Sequence, residues 1–273
     1  MQATTRRTAK KPVIGIIGGT SPFGQWFKSF FEKNGCTCLV AGRRTALTPR
    51  ALAEEADIVI VSVPIRATAD TIRAVRDCLK PGALLCDFTS IKTLSLREML
   101  KSDTTIGVTG IHPMFGPLAT SLTGQNIIFC PGRDNRWVIF LKNLFKRRGG
   151  IIVEMTAVEH DKQMALVQAL THFANIALAK VMYGQANPRL DISTPVFRQQ
   201  TQTMSRILGA DPALYADIQI GNKYFKKLMD RFIAESKKLR TMVEEGQDAA
   251  FEKNYRALAR VTAQRLTKKT TAY

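Results

Sequence analysis

Residues 13–24 read Val-Ile-Gly-Ile-Ile-Gly-Gly-Thr-Ser-Pro-Phe-Gly, an apolar run that ends in a glycine-rich turn. A short run rich in β-branched residues favours a buried strand. The residues after the turn are amphipathic, because Trp26, Phe27, Phe30 and Phe31 recur at helical spacing. A strand, a glycine turn and a helix in this order predict the first unit of a parallel sheet that is covered by helices.

The alternation of strands and helices continues toward the middle of the chain. Asp57-Ile-Val-Ile-Val-Ser-Val-Pro64 is a continuous β-branched run, which is typical of a parallel strand buried on both faces. This pattern predicts a sheet wound on both sides. Further strands are predicted at 38–41, 83–87, 106–109, 126–130 and 150–155, and helices at 49–56, 67–79 and 94–101.

The second part of the chain has a helical pattern. Thr156-Ala-Val-Glu159 is a capping box that predicts the start of a long helix, and Asp211-Pro212 predicts another start. Apolar residues between 213 and 245 recur at spacings near three and four. We therefore predict a Rossmann-type α/β domain over 13–155, an all-α substrate and dimerisation domain over 156–273, and a disordered basic tail over 1–12.

Composition narrows the classes of protein to consider. The chain has 273 residues and a formal net charge of +18, but the charge is spread out and no nucleic-acid-binding signature accompanies it. No apolar run approaches the length of a membrane-spanning helix, so we expect no membrane partner. The five cysteines form no Cys-x-x-Cys pair, which favours free thiols in a reducing cytoplasm and predicts no metal site.

The glycine-rich turn has the context of a dinucleotide-binding site. Gly19 and Gly24 match the first and third glycines of the Gly-x-Gly-x-x-Gly pattern, and Ser21 replaces the second. A serine crowds the pyrophosphate, but its hydroxyl can donate a hydrogen bond to phosphate. A structural glycine turn is the alternative. The residues predicted to contact the cofactor here are Gly18, Gly19, Thr20, Ser21, Pro22, Phe23 and Gly24.

The end of the second strand bears on which cofactor binds. NAD enzymes place an acidic residue there for the ribose hydroxyls, whereas this chain has Gly42-Arg43-Arg44. Guanidinium groups favour a 2′-phosphate, and a carboxylate would repel it. The sequence therefore favours NADP over NAD, with Arg43 and Arg44 as ligands, unless both arginines are only solvated surface residues.

The chain has only three histidines, His112, His160 and His172. Histidine is the side chain best suited to proton exchange near neutral pH. His112 lies in Ile-His-Pro-Met-Phe-Gly-Pro, residues 111–117, and the other two lie on one predicted helix. A histidine in a chain with a dinucleotide turn indicates a dehydrogenase that accepts a proton at its chemical step.

Several of these motifs together resemble the prephenate/arogenate dehydrogenase family. The motifs are 61–65 (Val-Ser-Val-Pro-Ile), 87–92 (Asp-Phe-Thr-Ser-Ile-Lys), 111–117, the His160–His172 helix, and 206–217. The resemblance runs in order from about residue 13 to 260 and is closest to the dehydrogenase half of the bifunctional chorismate mutase/prephenate dehydrogenases. Because no mutase segment precedes residue 13, we expect a monofunctional enzyme.

The resemblance implies oxidative decarboxylation of prephenate to 4-hydroxyphenylpyruvate in tyrosine biosynthesis. It assigns His112 as the proton acceptor and Ser90 as the serine that bridges this histidine and the nicotinamide. It adds Val63 and Pro64 to the cofactor site. It further implies a homodimer formed through the helical domain. The residues expected to bind the dianionic small-molecule substrate are Arg206, His172, Lys92, Arg198 and Gln168; His160 and Asp161 are interpreted as mostly structural.

Three other functions stay open at this point. Arogenate dehydrogenase differs only in the substrate side chain, where an amine replaces the keto group. A hydroxyacid or imine-reductase type of dehydrogenase has the same two-domain plan but commonly depends on a lysine of the helical domain. A nucleotide-binding protein that has lost the chemistry is the third alternative, although Ser90, His112 and Arg206 are present.

Overall fold

The protein is described by a computed structural model that covers residues 11–185, 189 and 192–270. Most of the predicted basic tail, residues 1–10, lies outside the described residues. The chain divides into two compact units, with the division between Tyr224 and Phe225. The first unit contains the sheet and the helices that surround it, and the second is a pair of helices.

The first unit is built on a seven-stranded sheet in the order β2-β1-β3-β4-β5-β6-β7. Its strand β3 consists of aliphatic residues that are buried on both faces, as the Asp57–Pro64 run predicted. The chain reverses its direction of strand addition between β2 and β3, which opens a crevice at the carboxyl edge beside β1. The strands are β1 (Val13–Ile17), β2 (Thr37–Ala41), β3 (Ile58–Val61), β4 (Leu84–Asp87), β5 (Gly107–Pro113), β6 (Asn126–Arg133) and β7 (Ile151–Glu154).

The sheet departs from the prediction in two places. Strand β6 runs antiparallel to β5, because residues 114–125 return the chain directly without a crossover helix. Strand β5 also continues four residues beyond the predicted end at residue 109. His112 is therefore part of a buried strand, where it pairs with Ile128 of β6, and does not lie in a turn.

Helices cover the sheet. The first, α1, begins at Pro22 with Ser21 as its cap and packs Phe27 and Phe31 on the sheet, where both rings are fully buried. Helix α5 was not predicted, because its cations at 142–148 hide the apolar stripe that buries Trp137 and Phe145. The helices of this region are α1 (Pro22–Lys33), α2 (Pro49–Glu55), α3 (Ile65–Val75), α4 (Thr93–Met99) and α5 (Arg136–Arg147).

The helical region follows β7 after a link of two residues, Met155 and Thr156. The predicted capping box is confirmed: the Thr156 hydroxyl accepts the Glu159 N–H, and the Glu159 carboxylate accepts the Thr156 N–H. The cap of Asp211 on the next predicted start is also confirmed. The elements are α6 (Ala157–Met164), a π-helical segment (Ala165–Leu170), α7 (Thr171–Tyr183), α8 (Pro195–Leu208), α9 (Pro212–Gly221), α10 (Phe225–Glu244) and α11 (Asp248–Thr270).

The continuous helix from Ala157 to Tyr183 is 27 residues long and, by length and composition alone, apolar enough to cross a membrane. The sequence had predicted no such segment, because polar residues interrupt its apolar run. Interface and core helices of globular proteins meet the same criterion. The beginning of this helix packs against α4, and its later exposed apolar residues include Leu178 and Val181.

Candidate active site

The predicted site motifs meet at one edge of the sheet. Strands β1, β3, β4 and β5 are parallel, so their carboxyl ends lie together. This edge carries the glycine turn after β1, residues 62–64 after β3, residues 88–92 after β4, and His112 near the end of β5. The carboxyl edge of an open parallel sheet is where such folds bind their ligands.

The glycine turn leaves no room for side chains. Gly18 has a φ of +88°, and a Cβ atom there would lie 2.2 Å from the Ser62 carbonyl oxygen. A Cβ atom on Gly24 would lie 2.5 Å from the Gly19 Cα. These contacts pack β1 directly against the β3 turn and helix α1 against the glycine turn. The beginning of α1 has no acidic residue in its first turn, so its dipole favours an anion there.

Ser21 has a different role from the one predicted. Its hydroxyl donates to the Gly18 carbonyl at 2.9 Å and accepts the Gly24 N–H at 3.1 Å. The hydroxyl proton is therefore engaged within the protein, where it closes the turn and caps α1. Thr20, exposed, and Pro22 and Phe23, at the start of α1, complete the turn.

The residues after β2 carry two exposed cations. Arg43 and Arg44 are both exposed, and no acidic partner contacts them among the described residues. A Cβ atom on Gly42 would lie 2.8 Å from the Thr20 hydroxyl, so the glycine lets the two loops approach each other. Val63 and Pro64 lie at the neighbouring strand end, where Pro64 precedes α3. In dinucleotide-binding folds the glycine turn and the residues after the second strand lie beside the cofactor.

His112 is buried at the centre of the edge, with 3% of its surface exposed. Its Nδ1 lies 2.8 Å from Nε2 of His160, and its Nε2 lies 3.3 Å from Nε2 of Gln168. The Nδ1 of His160 lies 2.8 Å from a carboxylate oxygen of Asp161. Helix α6 therefore places a second imidazole and a carboxylate in line behind His112.

Asp161 is bound at the start of α4. Its carboxylate accepts the backbone N–H of Lys92 at 2.8 Å and that of Thr93 at 2.9 Å, and it also accepts the Thr93 hydroxyl. Asn222 donates to the Asp161 carbonyl at 2.8 Å. These contacts fix the first turns of α6 against the segment that follows β4.

Lys92 is placed away from any position where it could bind substrate. It is fully buried, and its ammonium donates to the Asp87 carboxylate at 2.5 Å and to the Ile111 carbonyl at 2.8 Å. A third contact, to the Asp87 carbonyl at 3.4 Å, occupies its remaining proton. This corrects the prediction from the sequence: Lys92 joins β4 to the residue before His112.

Burial sets the protonation states at this edge. Burial lowers the pKa of His112 well below its usual value of 6.5, and the neighbouring His160 and Lys92 lower it further. Burial also lowers the pKa of His160, although Asp161 opposes the shift. Burial alone would raise the pKa of Asp161, but hydrogen bonds from His160, Lys92 and Thr93 lower it overall. At neutral pH both imidazoles are neutral and the carboxylate is charged.

The Nε2 side of His112 has a different character. Five buried side-chain atoms have no hydrogen-bond partner within the described part of the chain, and three of them belong to α9, α7 and the segment before α7: Oε1 of Gln219, Nδ1 of His172 and Oε1 of Gln168. The other two are Nε of Arg76 and Oδ1 of Asp87. Gln219 donates its N–H to the Ala169 carbonyl at 3.0 Å, which ties α9 to the residue after Gln168. Tyr215 packs its ring on His172, with the centroids 4.5 Å apart. Buried polar atoms without partners indicate a site that a ligand completes.

The other predicted site residues lie nearby or on α8. Ser90 is half-buried in the segment after β4, but among the described residues it makes no hydrogen bond to His112, whose two nitrogens face His160 and Gln168. Arg206 and Arg198 are exposed on α8. Arg198 donates to the Ser193 carbonyl and hydroxyl, and α8 packs on α7, the helix of His172.

Sequence reasoning missed the contributions of His160, Asp161 and Gln219. The available signal was the pairing of a histidine with an acid at the start of the capped helix, which was interpreted only through the helix dipole. Gln219 had no signal, because its position depends on how α9 packs against the helix of Gln168.

Comparison with known proteins agrees with this geometry. Residues 39–154 match the family model described as prephenate dehydrogenase, nucleotide-binding domain, and residues 156–257 match that of the prephenate dehydrogenase dimerization domain. The chain belongs to the prephenate dehydrogenase family. The family resemblance inferred from the motifs is therefore confirmed, as is a Rossmann-type domain followed by a helical one.

The chain matches only part of the length of two similar proteins. A probable arogenate/prephenate dehydrogenase of Methanocaldococcus jannaschii is 32% identical over 88% of this chain and 58% of its own length. The T-protein of Enterobacter agglomerans is 31% identical over 88% of this chain and 65% of its own length. The chain thus spans about 60% of the length of these two relatives.

A solved structure shares the fold. The prephenate dehydrogenase from A. aeolicus, in complex with hydroxyphenyl propionate and NAD+, has a TM-score of 0.73 and 20% identity, over 96% of this chain and 99% of that one. At this identity the likeness concerns the fold. The dimerization-domain match in addition supports association of the helical region with a second copy.

Proposed function

We propose that the protein is an NAD(P)-dependent prephenate dehydrogenase that converts prephenate to 4-hydroxyphenylpyruvate and carbon dioxide. The observation that carries this proposal is the surroundings of His112: a buried neutral imidazole whose Nε2 contacts Gln168, a side chain with an unpartnered buried oxygen, at the carboxyl edge of a dinucleotide-binding fold. A base of this kind suits the removal of a hydroxyl proton while the same carbon loses hydride.

The chain's own residues account for the proton and the orientation of the ring. Bound nicotinamide supplies the hydride acceptor. The C4–H bond of the substrate breaks with its electron pair, and Nε2 of His112 takes the 4-hydroxyl proton as the carbonyl forms. The ring carboxylate then departs as carbon dioxide, its bonding pair aromatises the ring, and the phenolate oxygen is protonated. Gln168, which already contacts Nε2 of His112, is positioned to orient the hydroxyl.

We assign the substrate carboxylates to the guanidinium groups of α8. A bidentate arginine suits a carboxylate better than a lysine, and Lys92 is fully engaged elsewhere. Arg206 is the principal candidate and Arg198 the second. Gln200 donates to Asn175 at 2.6 Å, which links α8 to α7 on the side of the site. His172 and Ser90 line the remaining walls in this proposal.

NADP is the cofactor we favour. Arg43 and Arg44 follow β2 without an acidic residue, and Gly42 gives the ribose region close access to the glycine turn. The α/β region 13–155 would bind this cofactor, and the region 156–273 would complete the substrate site and form a homodimer. Exposed apolar residues such as Leu166, Val167 and Leu178 provide a surface for the second copy. The cytoplasm is the compartment we propose for this reaction.

Reduction of NADP and NAD, followed at the nicotinamide absorbance band, tests the proposal with prephenate and arogenate supplied in turn. We expect turnover with prephenate and NADP. Turnover with arogenate alone would reassign the substrate, and turnover with NAD alone would reassign the cofactor. If folded protein binds the cofactor but turns over neither substrate, the proposed reaction is wrong, and a silent nucleotide-binding protein becomes the better interpretation.

A further inference from the structure

His160 and Asp161 form a buried chain of hydrogen bonds with His112. His160 has no exposed surface, and Asp161 is 3% exposed. The chain runs from the Asp161 carboxylate to Nδ1 of His160, and from Nε2 of His160 to Nδ1 of His112, with both distances at 2.8 Å. Nothing in the reaction itself requires a second imidazole, so its position behind the base calls for a physical reason.

The donors around Asp161 determine where each proton lies. The backbone N–H groups of Lys92 and Thr93 point at the carboxylate, and a backbone N–H can only donate. The ionised carboxylate can only accept, so the hydrogen between it and His160 must belong to Nδ1 of His160. A neutral imidazole with its proton on Nδ1 has a bare Nε2, which acts as an acceptor.

The contact between the two imidazoles has only one possible donor. Because Nε2 of His160 is an acceptor, Nδ1 of His112 must carry the proton that joins the two rings. A neutral His112 with its proton on Nδ1 leaves Nε2 bare. That is the nitrogen that contacts Gln168, and a bare nitrogen is what a proton acceptor requires.

We propose that His160 and Asp161 are positioning residues that fix His112 in the one tautomer able to accept a proton from substrate. This inference rests on the proposed function for the identity of that substrate, but the tautomer is a property of the free protein. When Nε2 of His112 takes the hydroxyl proton, the positive charge of the imidazolium is stabilised through His160 by the Asp161 anion, and neither residue needs to exchange a proton.

Lys92 holds both ends of this series of hydrogen bonds in place. Its backbone N–H binds Asp161, and its ammonium binds the carbonyl of Ile111, the residue before His112. A Cβ atom on Gly110 would lie 2.8 Å from Cδ of Lys92, so the lysine side chain passes directly against β5. One residue therefore fixes the strand of the base relative to the helix of its partner.

The test is a measurement of histidine tautomers by nitrogen NMR on the full chain labelled with 15N-histidine. The chain has only three histidines, so each signal can be assigned by substitution. We expect the proton on Nδ1 and a bare Nε2 for both His112 and His160 at neutral pH. A His112 that carries its proton on Nε2 would overturn the proposal, whatever the enzyme turns over.

The Asp161→Asn variant provides the kinetic arm. An asparagine has no charge to stabilise the imidazolium of His112, and an amide that donates to Nδ1 of His160 also reverses both tautomers and blocks Nε2 of His112. We expect kcat to fall by at least about 100-fold, with the dissociation constant for NADP and the KM for prephenate within about twofold, since a wrong tautomer affects chemistry more than binding. A kcat within about fivefold of the parent protein, with Asp161→Asn folded, would contradict the proposal.

Asp57→Asn is the matched control. Asp57 also has a lowered pKa, accepts a backbone N–H and pairs with a lysine, but it lies at the opposite edge of the sheet, before β3. We expect its kcat to stay within about twofold of the parent protein. If the tautomers are as expected but no substrate turns over, the proposed function fails and the positioning role stands. If prephenate turns over while His112 carries its proton on Nε2, the proposed function stands and the positioning role fails.

Discussion

The two sides of His112 differ in how completely the protein satisfies them. On the Nδ1 side, His160, Asp161 and Lys92 are buried and hydrogen-bonded to one another's segments, and among the described residues there Oδ1 of Asp87 is left without a partner. On the Nε2 side, buried polar atoms of Gln168, His172 and Gln219 have no partner among the described residues. The Nδ1 side, called the held side, keeps a fixed geometry, and the Nε2 side, called the ligand side, is suited to receive a ligand.

Replacing the base should have the largest effect. His112→Asn keeps a polar side chain on β5 but removes the nitrogen that accepts the proton. We expect kcat to fall by about 10²–10⁴-fold, which is the usual contribution of a general base. Cofactor binding, measured by fluorescence titration, should be unchanged. A variant that keeps its turnover would show that the two sides of this residue do not matter for catalysis.

Removing the buried cation of the held side should lower the free energy of unfolding. Lys92→Met leaves Asp87 buried without its cation, and removal of one partner of a buried pair costs about 3–5 kcal/mol in free energy of unfolding. Urea denaturation measures this loss. The double variant Lys92→Met/Asp87→Leu removes both charges and should recover most of it. An equal loss in the single and double variants would show that the ion pair is not what holds this side.

Removing the two arginines of the proposed cofactor site should weaken the binding of NADP more than that of NAD. Arg43→Ala/Arg44→Ala removes two exposed cations that have no acidic partner among the described residues. We expect the KM for NADP to rise by about 10- to 100-fold, since charged hydrogen bonds contribute about 1.5–3 kcal/mol, while the KM for NAD changes little. Arg50→Ala, an exposed arginine on α2, is the control. Equal changes for the two cofactors would remove the argument for NADP.

Removing one amide from the ligand side should have a smaller effect on the KM for prephenate. Gln168→Leu removes an amide whose Oε1 has no partner and whose N–H makes only the 3.3 Å contact to His112. We expect the KM for prephenate to rise by about tenfold, which corresponds to about 1.4 kcal/mol, with little change in stability. The exposed Gln163→Leu serves as the control. A loss of stability without a change in KM would place Gln168 on the held side.

The pH profile sharpens the same comparison. The base must be neutral to act, and burial lowers the pKa of His112 well below 6.5. We therefore expect kcat/KM to be maintained as the pH falls to 6.5 and to decline only below it. A half-maximal value at or above pH 6.5 would show that His112 is accessible to solvent in the free enzyme.

Much of the fold follows from local sequence patterns. The β-branched run at 57–64, the capping box at Thr156 and the cap at Asp211 act over a few residues, so their elements were predicted correctly. The antiparallel β6 and helix α5 were not, because strand direction and a cation-rich amphipathic face depend on distant packing. Likewise His112 was identified from its motif, whereas the contact of His160 with it and the burial of Lys92 depend on how α6 meets β4 and β5.

The most direct test of the difference between the two sides is the response of each histidine to a ligand. The 15N-histidine spectrum is recorded before and after addition of NADP and 4-hydroxyphenylpyruvate. We predict that the signals of Nε2 of His112 and Nδ1 of His172 shift on binding, while those of His160 stay in place. A shift of His160 as large as that of His112, or no shift of either His112 or His172, would contradict the division into a held side and a ligand side.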